Sequence, residues 1–148
     1  MIFIDTNILL AAINPNHPKH SAVNQLFAAK KFQQALPTIS TQILFEAWAS
    51  LTRAENANGL GLLPAQAAVM IQSFYLDFSV IDVPVGMMPD WLELVRQAKI
   101  VGRHTYDSVI AATMQYHHIE NIITYNTKDF AKFSGIVCVT PEDYLAAA

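Results

Sequence analysis

Four acidic residues stand out in a chain of which only 14% is charged. Asp5 ends the apolar run Met-Ile-Phe-Ile, and Glu46 is the only charge between Lys31 and Arg53. Asp107 opens Asp-Ser-Val-Ile-Ala-Ala-Thr, and Asp129 follows Asn126 by three residues in Ile-Ile-Thr-Tyr-Asn-Thr-Lys-Asp-Phe. A buried carboxylate without a partner is costly, so each of these needs a reason. Structural reasons exist one by one: a helix cap for Asp5, a narrow solvent stripe for Glu46, a first-turn dipole contact for Asp107 and Asp129. Brought together they would do chemistry. Three ionised carboxylates about 5 Å apart repel by ~3 kcal/mol per pair at an effective dielectric near 20. Such a cluster needs a cation, a shared proton or basic partners, and Lys128 is the only Lys or Arg in these stretches. An all-oxygen site suits Mg²⁺ or Mn²⁺ and disfavours zinc, which recruits His or Cys.

The elements around these residues alternate. Met1 to Asp5 reads as a buried strand and Ile8 to Ile13 as a short helix. The spacing of Val23, Leu26 and Phe27 predicts one helix over 20–34, with Ser21 as a possible cap. A strand over 36–39 precedes a helix over 42–55, for which Ser40 and Thr41 are candidate caps. Its apolar sequence predicts packing on most of its circumference. Pro64 suits the first turn of a helix to Asp77. A strand over 78–83, helices over 89–101 and 106–118, a strand over 121–125, a helical turn over 128–133 and a last strand over 136–139 complete the pattern, with a terminal turn after Pro141. Such alternation predicts an α/β fold with a parallel sheet sandwiched between helices. In an open sheet of this kind, ligands gather beyond the carboxyl ends of the strands, where Asp5 would sit.

The chain's 148 residues suit one domain spanning 1–148, and 53% hydrophobic composition excludes disorder. The single cysteine, Cys138, forms no internal disulfide and fits a reducing cytoplasm. No secretory signal or membrane-spanning run is visible. A net charge of −3 argues against a general nucleic-acid coating protein. With the four acids set aside, nine positive residues face eight negative ones, so the negative charge would belong to the site.

Together these residues resemble the PIN-domain family and, within it, the VapC-like ribonuclease toxins of toxin–antitoxin pairs. The resemblance is carried by Phe3-Ile4-Asp5-Thr6-Asn7, Glu46, Asp107 to Thr113, and Thr124 to Phe130, in order along the whole chain. It implies a three-layer α/β/α fold around a parallel sheet of about five strands, and divalent-metal-dependent hydrolysis of RNA. Asp5, Glu46 and Asp107 match the family's three acidic positions. The fourth, often acidic, falls on Asn126, with Asp129 three residues later as the other source of an oxygen. Thr6 and Asn7 match flanking positions that in the family commonly orient the first carboxylate, and both join the candidate substrate contacts. Comparable proteins bind an antitoxin or a second protomer, so an antitoxin and a homodimer are expected. On this reading Asp5 and Asp107 bind the main metal, and Glu46 binds it through water or orients the attacking water.

Arg53, Arg103, His104 and Lys128 are candidate phosphate contacts, and Tyr106 and Tyr125 candidate stacking residues. The apolar segment 57–88 supplies core, an exposed apolar surface, or both. Trp48 and Trp91 read as packing residues. A catalytically weak PIN-like module acting through protein association is the alternative, and Asn126 at the fourth position is its support. An aspartyl-phosphate phosphatase would need a second Asp where Asn7 stands.

Overall fold

The computed structural model describes residues 1–147. Five parallel strands, β1 (Ile2–Ile4), β2 (Pro37–Ser40), β3 (Ser79–Ile81), β4 (Asn121–Ile123) and β5 (Val137–Val139), form one sheet in the order β3-β2-β1-β4-β5. Phe3 pairs with Thr38 on one side and Ile122 on the other. Helices α1 (Thr6–Ile13), α2 (His20–Ala28), α3 (Lys30–Gln34), α4 (Thr41–Thr52), α5 (Pro64–Asp77), α6 (Met88–Gln97), α7 (His104–Tyr116), α8 (Thr127–Phe130) and α9 (Pro141–Ala146) connect and flank the strands. The three-layer α/β/α arrangement with five parallel strands agrees with the expectation. Parallel strands covered on both faces read as unbroken apolar runs, and Phe3, Ile4, Ile39, Ile122 and Ile123 are fully buried at the centre.

Strand order decides where a site can form. From β1 the chain builds outward through β2 and β3, then crosses to add β4 and β5 on the other side. Direction therefore reverses between β1 and β4, and a crevice opens at their carboxyl ends. Asp5 follows β1 and Thr124 follows β4.

The helix predicted over 20–34 is two helices. Ala29 is extended, with φ −71° and ψ 123°. In an unbroken helix Phe27 and Phe32 would point about 140° apart; the break stacks their rings at 5.5 Å, with Phe32 buried. The helix predicted over 42–55 ends at Thr52, and a 3₁₀ turn, Glu55–Ala57, follows. Ser40 occupies its N-cap without a side-chain hydrogen bond, so neither Ser40 nor Thr41 caps it as predicted. Nor is α4 covered on most sides: Ile43, Leu44, Ala47 and Leu51 face the core, while Phe45 and Trp48 are exposed. Trp91 packs as expected and donates from Nε1 to Ser108 Oγ at 2.9 Å.

The chain after α4 folds back on the helix end, where Leu60 and Leu62 donate to the carbonyls of Ser50 and Leu51. Gly59 lies against this end so closely that a Cβ there would meet the Arg53 carbonyl oxygen at 1.9 Å. Backbone, not a flexible side chain, blocks it. Gly59→Ala should therefore destabilise the fold by about 2 kcal/mol, as overpacking typically does. Thermal melting checks this, and an unchanged midpoint would refute the close approach.

Candidate active site

Asp5 is the innermost acid of the crevice, 5% exposed. Its Oδ1 accepts from the Thr6 backbone N–H at 2.7 Å, which makes it the N-cap of α1 as well. Its Oδ2 accepts from Thr124 Oγ1 at 2.6 Å and from Asn7 Nδ2 at 2.9 Å. These donors favour the charged form, yet burial outweighs them and lifts the carboxyl from 3.8 to about 6, helped by the negative charges of Glu46 and Asp107.

Glu46 enters from α4, half-buried. Its Oε2 accepts from Thr6 Oγ1 at 3.0 Å and its Oε1 from Gln42 Nε2 at 2.6 Å. Thr6 thus joins two acids of different elements, its N–H on Asp5 and its hydroxyl on Glu46. Asp107, in the first turn of α7, is partly exposed and faces His104 Nδ1 at 3.4 Å. Burial, and then the Asp129 charge, push its carboxyl up, against the pull of His104 and Lys132.

One expectation changes here. Among the described residues, the tight set of potential metal-ligating atoms is His104, Asp107 and Asp129, all within 4.8 Å of one another. Asp5, Glu46 and Asp107 do not converge to that degree. Asp5 is linked to Glu46 through Thr6 and senses Asp107 by charge. The site is thus an arc of carboxylates from β1, α4, α7 and α8. Asp129 stands beside Asp107. Asn126 is exposed; its backbone N–H donates to Thr124 Oγ1 at 2.9 Å and its carbonyl accepts from the Asp129 N–H at 3.0 Å.

Thr6 and Asn7 were expected among the substrate contacts, and their polar groups are already committed. Thr6 is buried with its hydroxyl on Glu46. Asn7 Nδ2 serves Asp5 and Thr124, and its Oδ1 accepts from the Tyr125 N–H at 3.4 Å. Both position carboxylates. Arg103 and Lys128 are exposed beside α7 and α8. Arg53 caps the far end of α4, ~10 Å along the axis from Glu46, and its guanidinium donates to Ser50. Tyr106 is 64% exposed next to Asp107, whereas Tyr125 is half-buried. Sequence reasoning missed Thr124, Gln42 and Lys132. Thr124 was visible as the polar end of a buried strand, and Gln42 as an i,i+4 partner of Glu46; nothing local marks Lys132.

The residues fit a divalent cation on their own chemistry. Among the described residues no Lys or Arg pairs with Asp5, Glu46, Asp107 or Asp129; the lysine and arginine ion pairs lie elsewhere, at Lys19–Glu142 and Arg96–Glu93. Carboxylate oxygens suit Mg²⁺ and Mn²⁺, and the His104 imidazole adds a nitrogen that the expected all-oxygen set lacked.

Residues 2–136 match the PIN domain, and the chain belongs to that family. It is similar to ribonuclease VapC24 of Mycobacterium tuberculosis, 27% identical over 135 residues that cover 90% of this chain and 91% of the relative. In three dimensions it is similar to the sarcin-ricin-loop-cleaving toxin VapC20 of M. tuberculosis, with TM-score 0.70, 24% identity, and 93% and 97% of the two chains covered. A toxin–antitoxin complex from Klebsiella pneumoniae contains a similar chain, with TM-score 0.54, 24% identity, and 95% and 98% covered. These structural likenesses establish the fold.

Proposed function

We propose that this protein is a divalent-metal-dependent endoribonuclease that hydrolyses RNA phosphodiester bonds, and the toxin of a toxin–antitoxin pair. The observation that carries the reading is the arc of carboxylates, none paired with a Lys or Arg among the described residues, at the carboxyl ends of β1 and β4. In this reading Asp5, Asp107 and Glu46 hold Mg²⁺ or Mn²⁺, and Asp129 supplies the fourth acid. A bound ion of this kind activates water as a nucleophile and neutralises phosphate oxygens. The chain's own residues do the rest. Thr6, Asn7 and Thr124 fix Asp5, Thr6 and Gln42 fix Glu46, and Arg103, Lys128 and Lys132 draw the phosphate backbone toward the crevice.

An antitoxin and a homodimer are the proposed partners, and the cytoplasm the proposed location, with residues 1–148 acting as one domain. The relative named ribonuclease VapC24 and the toxin–antitoxin complex of similar fold support the pairing. Val69, Tyr75 and Leu76, each at least 60% exposed on α5, give a protein partner apolar surface. No helix among the described residues is long and apolar enough to cross a membrane. Against the non-catalytic alternative stands Asp129, an acid beside Asp107 that the neutral Asn126 does not supply.

The test is cleavage of single-stranded RNA by the purified protein with Mg²⁺ or Mn²⁺, against EDTA. Expected products carry no 2′,3′-cyclic phosphate, because water attacks in place of the ribose 2′-hydroxyl. Cleavage that persists in EDTA, or that leaves cyclic phosphates, would overturn the metal mechanism.

A further inference from the structure

We infer that Gln42 is a positioning residue, aiming Glu46 and setting its place relative to the Asp107 helix; this rests on the metal-nuclease reading above. Gln42 lies one turn before Glu46 on α4. Its Nε2 donates to Glu46 Oε1 at 2.6 Å and to the Tyr106 carbonyl at 3.0 Å. Both partners are acceptors, so a rotated amide would set oxygen against oxygen; chemistry fixes its orientation. The amide oxygen, meanwhile, is buried with no hydrogen-bond partner. The fold leaves an acceptor unsatisfied, a costly choice, while the amide nitrogen serves two.

The position of the second partner gives the contact its consequence. Tyr106 directly precedes Asp107, and among the described residues the Gln42–Tyr106 bond is the only hydrogen bond joining α4 to α7. A single amide therefore reads both the Glu46 carboxylate and the backbone that carries Asp107. Thr6 holds the other oxygen of Glu46. With one oxygen on α1 and the other on this clamp, the glutamate is held through both oxygens against swinging out to solvent. Fixing such a side chain before substrate arrives lowers the barrier that ordering would otherwise add. A plain i,i+4 surface pair would stabilise α4 slightly and do no more.

Two variants separate these roles. Gln42→Met keeps the length and removes both donors, whereas Gln42→Glu keeps the shape and sets an oxygen where the donor stood. Mn²⁺ binding by calorimetry, RNA cleavage and thermal melting are compared with wild type. For Gln42→Met, Mn²⁺ affinity should fall about fivefold and kcat about tenfold, with KM for RNA and the melting midpoint nearly unchanged. For Gln42→Glu, kcat should fall at least as far, because an oxygen then faces the Glu46 carboxylate and the Tyr106 carbonyl.

Wild-type Mn²⁺ affinity and kcat in Gln42→Met would overturn the inference. So would a raised KM alone, which marks a substrate contact, or a Gln42→Glu variant with wild-type kcat. A wild-type protein that binds Mn²⁺ without cutting RNA overturns the nuclease reading and leaves the affinity comparison to decide on Gln42. One that binds no Mn²⁺ overturns both.

Discussion

Asp5→Asn is expected to abolish RNA cleavage, by roughly 10³-fold, and at the same time to raise the melting temperature of the metal-free protein. The two effects share a cause. Folding takes the Asp5 carboxylate out of water into the company of Glu46 and Asp107, and its pKa rises from 3.8 to about 6. Each pH unit of such a shift is worth ~1.4 kcal/mol, so the ionised side chain costs the folded protein about 3 kcal/mol at pH 7. Asparagine removes that cost but loses one acceptor among the three donors that converge here, a penalty of about 1–2 kcal/mol. The balance is a gain of ~1–2 kcal/mol, which corresponds to a rise of roughly 2–6 °C in a domain of this size. The sign follows from the raised pKa. Asp5's contribution to stability is complete below its unfolded value near 4 and is lost as pH climbs through about 6. Wild type should therefore lose stability across that window relative to Asp5→Asn. A variant that still cuts RNA sinks the catalytic half, and one that melts below wild type at pH 7 sinks the electrostatic half.

That tension between stability and site chemistry is also what made the sequence readable. Asp5 and Glu46 could be picked out because a charge in an apolar run contradicts its surroundings, and such a contradiction survives without coordinates. The strands were legible for the same reason: Met1 to Ile4 and Ile122 to Ile123 are apolar without alternation, as strands covered on both faces must be. The break at Ala29 was not legible, since local periodicity carries through residues 20–34, and only the stacking of Phe27 on Phe32 rewards interrupting it. Exposure of Phe45 was equally hidden, because an apolar residue on a helix does not say whether another layer covers it. Convergence was the hardest to read. Nothing in the spacing of 104, 107 and 129 shows that these side chains meet, because α7 and α8 are joined through the sheet. Thr6 and Asn7 were legible as residues orienting Asp5, and their donors are spent there; the Thr6 hydroxyl on Glu46 is what only hydrogen-bond geometry reveals.

Divalent-ion binding should release protons, and affinity should fall about tenfold between pH 7 and pH 5. The argument starts from the same carboxyl. With its pKa at about 6, Asp5 is mostly ionised at pH 7 and mostly protonated at pH 5. A protonated carboxyl offers a cation no charge, so the ion must displace the proton, and the fraction of sites carrying one sets the loss of affinity. At pH 6 about half a proton per ion should leave Asp5. Calorimetry of Mn²⁺ binding in two buffers of different ionisation enthalpy measures that number directly. A second place for the ion is the set His104, Asp107 and Asp129, whose ligand atoms lie within 4.8 Å of one another. The variants tell the two apart: release persists in His104→Ala and disappears in Asp5→Asn when Asp5 holds the ion. If affinity is lost in His104→Ala and kept in Asp5→Asn, the ion sits on the outer arc of His104, Asp107 and Asp129. Asp5 would then shape the field of the crevice without ligating the ion, and metal affinity, unlike cleavage, would survive its replacement.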